Sequence, residues 1–205
     1  MLSELQSLKG HQPWELEPRS KAKKVKVITL QRDERGRVTR FKSRLVIHGF
    51  KQKRGVNYSE TFAPVIRFET IRTAIYYAAH RGWLVLQYDV KTAFLYGELT
   101  EVIFIEQPPG FQESGPEVVG RLMKSLYGLK QAPHIWNKTL HAKLVVMVFV
   151  RMESDFGLYD LKVNDEVKML LAVYFDHMLL MGPHEVCEET AAALRESFEL
   201  TTMGM

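Results

Sequence analysis

The sequence predicts an α+β fold, and three observations carry that prediction. Two pairs of apolar, β-branched runs are separated by short turn-forming stretches, the pattern of antiparallel hairpins. Helical periodicity appears in three separate places between such runs, so helices and antiparallel strands alternate along the chain. There are no internal repeats and no low-complexity tracts, and 205 residues suffice for one domain or two small ones with a substantial core.

In order, residues 1–24 lack sustained periodicity and read as a loose lead-in, with Trp14 and Leu16 able to dock. Val25-Lys26-Val27-Ile28 and Val38 to Ile47 read as strands around the turn Asp33-Glu34-Arg35-Gly36. Phe50 to Pro64 is a loop. Ile71, Ala74, Ile75, Ala78 and Ala79 then follow helical spacing, and Gly82 stands where a helix would stop. Leu84 to Asp89 is a strand, Thr92 to Leu99 a short helix or tight turn, and Val102 to Ile105 a short strand before the breaker Pro108-Pro109-Gly110. Val118 to Leu122 precedes a loop, after which Pro133 suits the first turn of a helix that puts Trp136, Leu140 and Leu144 on one face. Leu158-Tyr159 and Val167 to Phe175 form a hairpin turning near Asn164-Asp165, and Glu185 to Phe198 is a closing amphipathic helix.

Cys187 is the only cysteine, which excludes a disulfide framework and a zinc knuckle and sets a reducing, intracellular compartment as the expectation. The longest apolar run, Met169 to Met181, is cut by Asp176-His177 and is shorter than the ~20 residues of a membrane span. No basic–apolar–small leader opens the chain, so secretion is not expected. Charge is more informative by region. From Arg19 to Arg54 there are fourteen Lys and Arg against Asp33 and Glu34, a local net of +12; with the whole chain at +4, the remainder carries −8. A basic lobe joined to an acidic one suits phosphates on one side and metal ions on the other, although a solvated basic hairpin has the same composition.

Two apolar runs end on carboxylates: Leu84-Val85-Leu86-Gln87-Tyr88-Asp89 and Met169-Leu170-Leu171-Ala172-Val173-Tyr174-Phe175-Asp176. An Asp in a core strand is unfavourable unless it is paired or holds a metal. If the two strands are neighbours, Asp89 and Asp176 form the kind of pair that binds two cations ~4 Å apart for nucleotidyl transfer.

Six segments occur in one order: Phe41-Lys42-Ser43-Arg44-Leu45-Val46; Tyr58 to Val65 (YSETFAPV); Asp89 to Leu99 (DVKTAFLYGEL); Gln107 to Phe111 (QPPGF); Ser125 to Pro133 (SLYGLKQAP); and Tyr174-Phe175-Asp176. Together, from Trp14 to Gly204, they closely resemble the reverse transcriptase of copia-type (Pseudoviridae-like) LTR retrotransposons. The resemblance implies a fingers–palm polymerase fold: fingers and palm over 25–205, a basic fingers hairpin at 25–48, and an antiparallel palm sheet backed by helices from about 65, with the thumb missing. It implies RNA-directed DNA polymerase activity. Asp89 and Asp176 would be the catalytic, Mg²⁺-binding carboxylates for two ions. Phe94 resembles the bulky residue that excludes a ribose 2′-hydroxyl, Tyr127-Gly128 the turn beside the incoming nucleotide, and Lys42 and Arg44 the finger cations that clasp phosphates. The implied partners are an RNA or DNA primer–template, deoxynucleoside triphosphates, and the integrase and ribonuclease H of a longer polyprotein, in a cytoplasmic particle or the nucleus.

His177 departs from the family, which carries a third carboxylate there. An imidazole replaces an oxygen anion with a nitrogen donor and prefers borderline ions such as Zn²⁺ to Mg²⁺. The Lys-Trp-Val-Phe stretch before the hairpin is shortened to Lys24-Val25-Lys26-Val27, and Val145 to Val150 stands where a glycine-containing turn is usual. Three readings follow. The chain is a reverse transcriptase domain with metal binding weakened at His177, or a catalytically inactive nucleic-acid-binding remnant, or a metal-dependent hydrolase using Asp176-His177. No second ligand motif of recognisable spacing supports the last.

Overall fold

The computed structural model of the chain describes residues 10–18, 25–32, 38–107, 112, 115 and 117–203, with backbone alone for 25–32 and 38–44. The expected turns at 33–36 and 108–110, and residues 1–9 and 19–24 of the lead-in, lie outside the described residues. The elements begin with β1 (Trp14–Pro18), β2 (Val25–Arg32), β3 (Val38–Ile47), α1 (Phe68–His80), β4 (Leu84–Val90) and β5 (Phe104–Ile105). They continue with β6 (Val118–Leu122), α2 (Ala132–Val146), β7 (Val150–Arg151), β8 (Leu158–Val163), β9 (Glu166–Tyr174), β10 (His177–Gly182), α3 (His184–Arg195) and β11 (Leu200–Thr202). Among the described residues every strand pair is antiparallel, so the chain is α+β as expected.

Two compact units divide the chain: residues 1–62 with 94–136, and residues 63–93 with 137–205. In the first, β2 pairs with β3 in the expected hairpin, and β1, β6 and β5 form a three-stranded sheet. β1 was not expected: Trp14–Pro18 pairs with β6 from Trp14↔Leu122 to Pro18↔Val118. Its Trp14 ring lies on Gly120, where a Cβ would crowd it, and packs against a core of Leu45, Ile47, Ile103, Ile105, Leu122 and Leu126. This strand replaces part of the segment read as loose.

The second unit is built on a six-stranded sheet in the order β11-β4-β10-β9-β8-β7. The turn joining β8 to β9 is Asn164-Asp165, with φ of +52° and +61°, the two-residue turn whose positive φ values match strand twist and that favours Asn and Asp. Along β4 burial alternates: Leu86, Tyr88 and Val90 are buried, whereas Val85, Gln87 and Asp89 leave the other face partly covered. α1 lies over that other face, its Ala74 and Ala78 meeting Val85, Leu179 and Met181. α1 stops as the sequence predicted. Gly82, at φ +66°, donates its N–H to Ala79 and is followed by Trp83 donating to Ala78, the paired bonds of a Schellman end. α2 starts at Ala132, with Pro133 next inside, and buries Trp136, Leu140 and Leu144 on one stripe.

Candidate metal centre

Asp89 sits one residue before the end of β4 and His177 is the first residue of β10. The two are direct register partners, so their side chains leave the same face of the sheet. Asp176 occupies the two-residue turn between β9 and β10, whose flanking pair is Tyr174↔His177. Phe175, first in that turn, has φ +53°, the signature of a II′-type hairpin turn and an uncommon conformation for a bulky residue. The turn is tied to β4 by Val90, whose N–H donates to the Asp176 carbonyl at 2.8 Å. On the other side of β4, Thr201 of β11 is the register partner of Asp89.

One donor atom from each of Asp89, Asp176 and His177 lies within 4.8 Å of the others. The imidazole stands between the carboxylates: Nδ1 is 3.3 Å from Asp89 Oδ1, and Nε2 is 3.8 Å from Asp176 Oδ1. Nδ1 is shielded from solvent yet makes no hydrogen bond, so its closeness to Asp89 is an off-line contact. The side chains are 28%, 33% and 41% exposed for Asp89, Asp176 and His177, so the cluster opens at the strand ends beyond the cover of α1. Two carboxylate oxygens and an orphaned ring nitrogen fit one divalent cation. Oxygen donors alone favour Mg²⁺; the nitrogen shifts the set towards Mn²⁺ or Zn²⁺. Asp89 and Asp176 are therefore close, as expected, but the strands that lead to them, β4 and β9, are not neighbours: β10 lies between them, and its first residue, His177, sits inside the cluster.

The other residues singled out by sequence belong to the first unit. Phe94 and Tyr127 meet edge to face, ring centroids 4.8 Å apart. Gly128 has φ +90°, and a Cβ there would drive into the Ile47 carbonyl oxygen; Gly49 approaches the Gly128 carbonyl just as closely. The Ile47 N–H donates to the Tyr127 carbonyl at 2.9 Å, so this turn is pinned to the end of β3. Lys42 and Arg44 lie on β3, Arg44 opposite Ile28 of β2.

Sequence reasoning passed over three buried polar residues, two in the first unit and one in the second. Gln131 accepts from Gln52 Nε2 at 2.8 Å and donates to the Asn57 carbonyl, while Gln52 Oε1 accepts the Lys130 N–H. Asp155 accepts the Arg67 N–H at 2.9 Å and so caps α1, whose own N-cap residue offers no side-chain bond. Its only local signature is a turn, which does not point to α1. Asp155-Phe156-Gly157 closes an Asx turn in which Oδ1 accepts the Gly157 N–H at 3.0 Å.

Comparison with known proteins completes the picture. The family described as reverse transcriptase (RNA-dependent DNA polymerase) matches residues 15–205. The chain belongs to this reverse transcriptase family. It is 36% identical, over its whole length, to the retrovirus-related Pol polyprotein from transposon TNT 1-94 of Nicotiana tabacum. Over 98% of its length it is 37% identical to that from transposon RE2 of Arabidopsis thaliana, and over 89% it is 38% identical to that from RE1 of the same plant. The reverse transcriptase domain spans only 16%, 14% and 13% of these polyproteins, respectively. Among its described residues no helix is long and apolar enough to cross a membrane.

Proposed function

We propose that this domain catalyses RNA-directed DNA synthesis, with Asp89 and Asp176 holding a divalent cation at the 3′ end of a primer. The observation that carries the reading is the convergence of the two carboxylates, one from β4 and one from the β9–β10 turn, within the 4.8 Å cluster. When bound, the ion supplies charge compensation for the triphosphate and the attacking oxygen. Asp89 sits on an interior strand and Asp176 in a turn bonded to that strand, so both carboxylates are held before any ligand arrives. His177 supplies no carboxylate for a second ion, and Mg²⁺-supported synthesis is accordingly weak.

In this reading the first unit is the fingers side and the six-stranded sheet the palm. Phe94 bars a ribose 2′-hydroxyl, the Tyr127-Gly128 turn borders the deoxynucleoside triphosphate, and Lys42 and Arg44 contact phosphates. In a longer polyprotein, integrase and ribonuclease H domains accompany it. The test is primer extension on an RNA template with Mg²⁺ and with Mn²⁺, alongside Asp89→Asn. Extension that needs a divalent ion and disappears in Asp89→Asn supports the proposal; extension unaffected by Asp89→Asn removes it.

A further inference from the structure

The second unit contains a cavity of ≈ 680 Å³ whose lining includes none of Asp89, Asp176 and His177. It forms where α1 faces β8 and β9, with Ala74, Met152, Leu158 and Leu170 giving it apolar walls. Asp160 of β8 also lines it. This carboxylate is 5% exposed, lies two residues from Leu158 on the same strand face, and is the register partner of Leu170. Lys162 Nζ lies 3.3 Å from its Oδ2, but Oδ1 is buried with no hydrogen-bond partner. A buried acceptor left in that state costs about 1–3 kcal/mol, more when charged. Nothing in the Asp89–His177 cluster calls for a carboxylate there.

We propose that this cavity binds an amphipathic organic cation: an aromatic or aliphatic body carrying one ammonium or amidinium group that donates to Asp160. The volume lies in the range of small-molecule sites, and apolar walls with one oriented polar group are how such sites hold a ligand. Charge around the cavity leans towards the same sign. Glu69 adds a second carboxylate, and the two nearby cations are each engaged with a carboxylate, Lys162 with Asp160 Oδ2 and the Arg67 guanidinium with Asp155, its Nε 3.5 Å away. An anion of equal size meets Asp160 and Glu69, and a neutral body leaves Oδ1 unpaired. The inference is independent of the polymerase reading.

The 205-residue chain is titrated calorimetrically with tryptamine and, separately, with 3-indolepropionate, which keeps the indole and reverses the charge. Tryptamine should bind saturably and at least about tenfold more tightly than the anion. Asp160→Asn should weaken tryptamine binding by about tenfold or more, since a hydrogen bond to a charged group contributes about 1.5–3 kcal/mol. Thr73→Trp, an exposed α1 position lining the cavity, should occlude it and abolish binding even if Asp160→Asn fails to fold. No saturable tryptamine binding, equal affinity for the two indoles, or unchanged tryptamine affinity in folded Asp160→Asn or in Thr73→Trp overturns the proposal.

Discussion

Gly82 and Val148 hold the same position in two helix endings. Each is the left-handed residue just past a helix, at φ +66° and +59°, and each is followed by a residue whose N–H reaches back five positions, Trp83 to Ala78 and Phe149 to Leu144. One site has the residue the motif favours and the other has a β-branched side chain.

Left-handed backbone costs an L-residue about 1–2 kcal/mol, and more than half of that should survive the extra freedom glycine gives the unfolded chain. Val148→Gly is therefore expected to stabilise the protein by about 0.5–1 kcal/mol, and Gly82→Val to destabilise it by at least as much. Urea midpoints of the two variants should move in opposite directions. A lower midpoint for Val148→Gly would show that the valine packs in a way that offsets its backbone.

This pair also marks how far the sequence could be read. Helical periodicity made α1 legible, apolar runs did the same for β4 and β9, and Gly82 and Asn164-Asp165 announced their turns; β10, directly after Asp176, was not separated from the run that holds β9. Asp89 and Asp176 do come together, but not as the ends of neighbouring strands: β10 lies between β4 and β9, and Asp176 reaches Asp89 from the turn between β9 and β10. β1 was missed because the alternation Trp14-Glu15-Leu16-Glu17 is only four residues long and runs into Pro18, too short a strand signal until β6 pairs with it. Asp155 capping α1 from 88 positions away, and Asp160 buried under that helix, depend on tertiary packing that no local pattern encodes.

Acid sensitivity should trace in part to Asp155. Burial pushes its carboxyl upward, but the N–H groups of Arg67 and Gly157 and the Thr70 hydroxyl outweigh this and hold it below the ordinary carboxylate value. A depressed folded-state value means that the unfolded chain takes up the proton first. The stabilisation is thus complete above pH ~4 and is lost as pH falls through the folded value. Asp155→Asn should cost about 1–3 kcal/mol at pH 6, with the gap from the parent narrowing by pH 3. Urea melts at both pH values check this; an equal gap would assign the effect to shape rather than charge.

Restoring the family's carboxylate should raise Mg²⁺-dependent synthesis. Loss of one electrostatic contact in a reacting site commonly costs about 10²–10³ in rate. His177→Asp should recover a comparable factor with Mg²⁺, and less with Mn²⁺, which tolerates nitrogen donors. Grafting Tyr174-Phe175-Asp176-His177 into a complete copia-type enzyme offers a second readout. Near-normal Mg²⁺-dependent extension by that chimera would show that the imidazole is harmless.

If the basic segment contacts phosphates, binding to a primer–template duplex should weaken with salt by about 0.9 in log–log slope for each phosphate neutralised. Replacing Lys42, Arg44, Lys51 and Lys53 with Gln should flatten the slope by up to about 3–4. An unaltered slope would leave those cations as solvated surface.

Gly128→Ala should destabilise the first unit by several kcal/mol, since its Cβ collides with rigid β3 backbone at a φ alanine avoids. Circular dichroism melts would detect it, and a variant as stable as the parent would mean the turn can move away from Ile47.

β4 is flanked by β11 and β10, and β10 by β4 and β9, so neither Asp89 nor His177 lies on a free edge. Strands hydrogen-bonded on both sides do not shift to suit a new side chain. An exchange of aspartate and histidine at 177 therefore alters the chemistry of the site while its scaffold stays put. A single replacement at 177 would thus change the donor set of the cluster without asking the sheet that carries it to move.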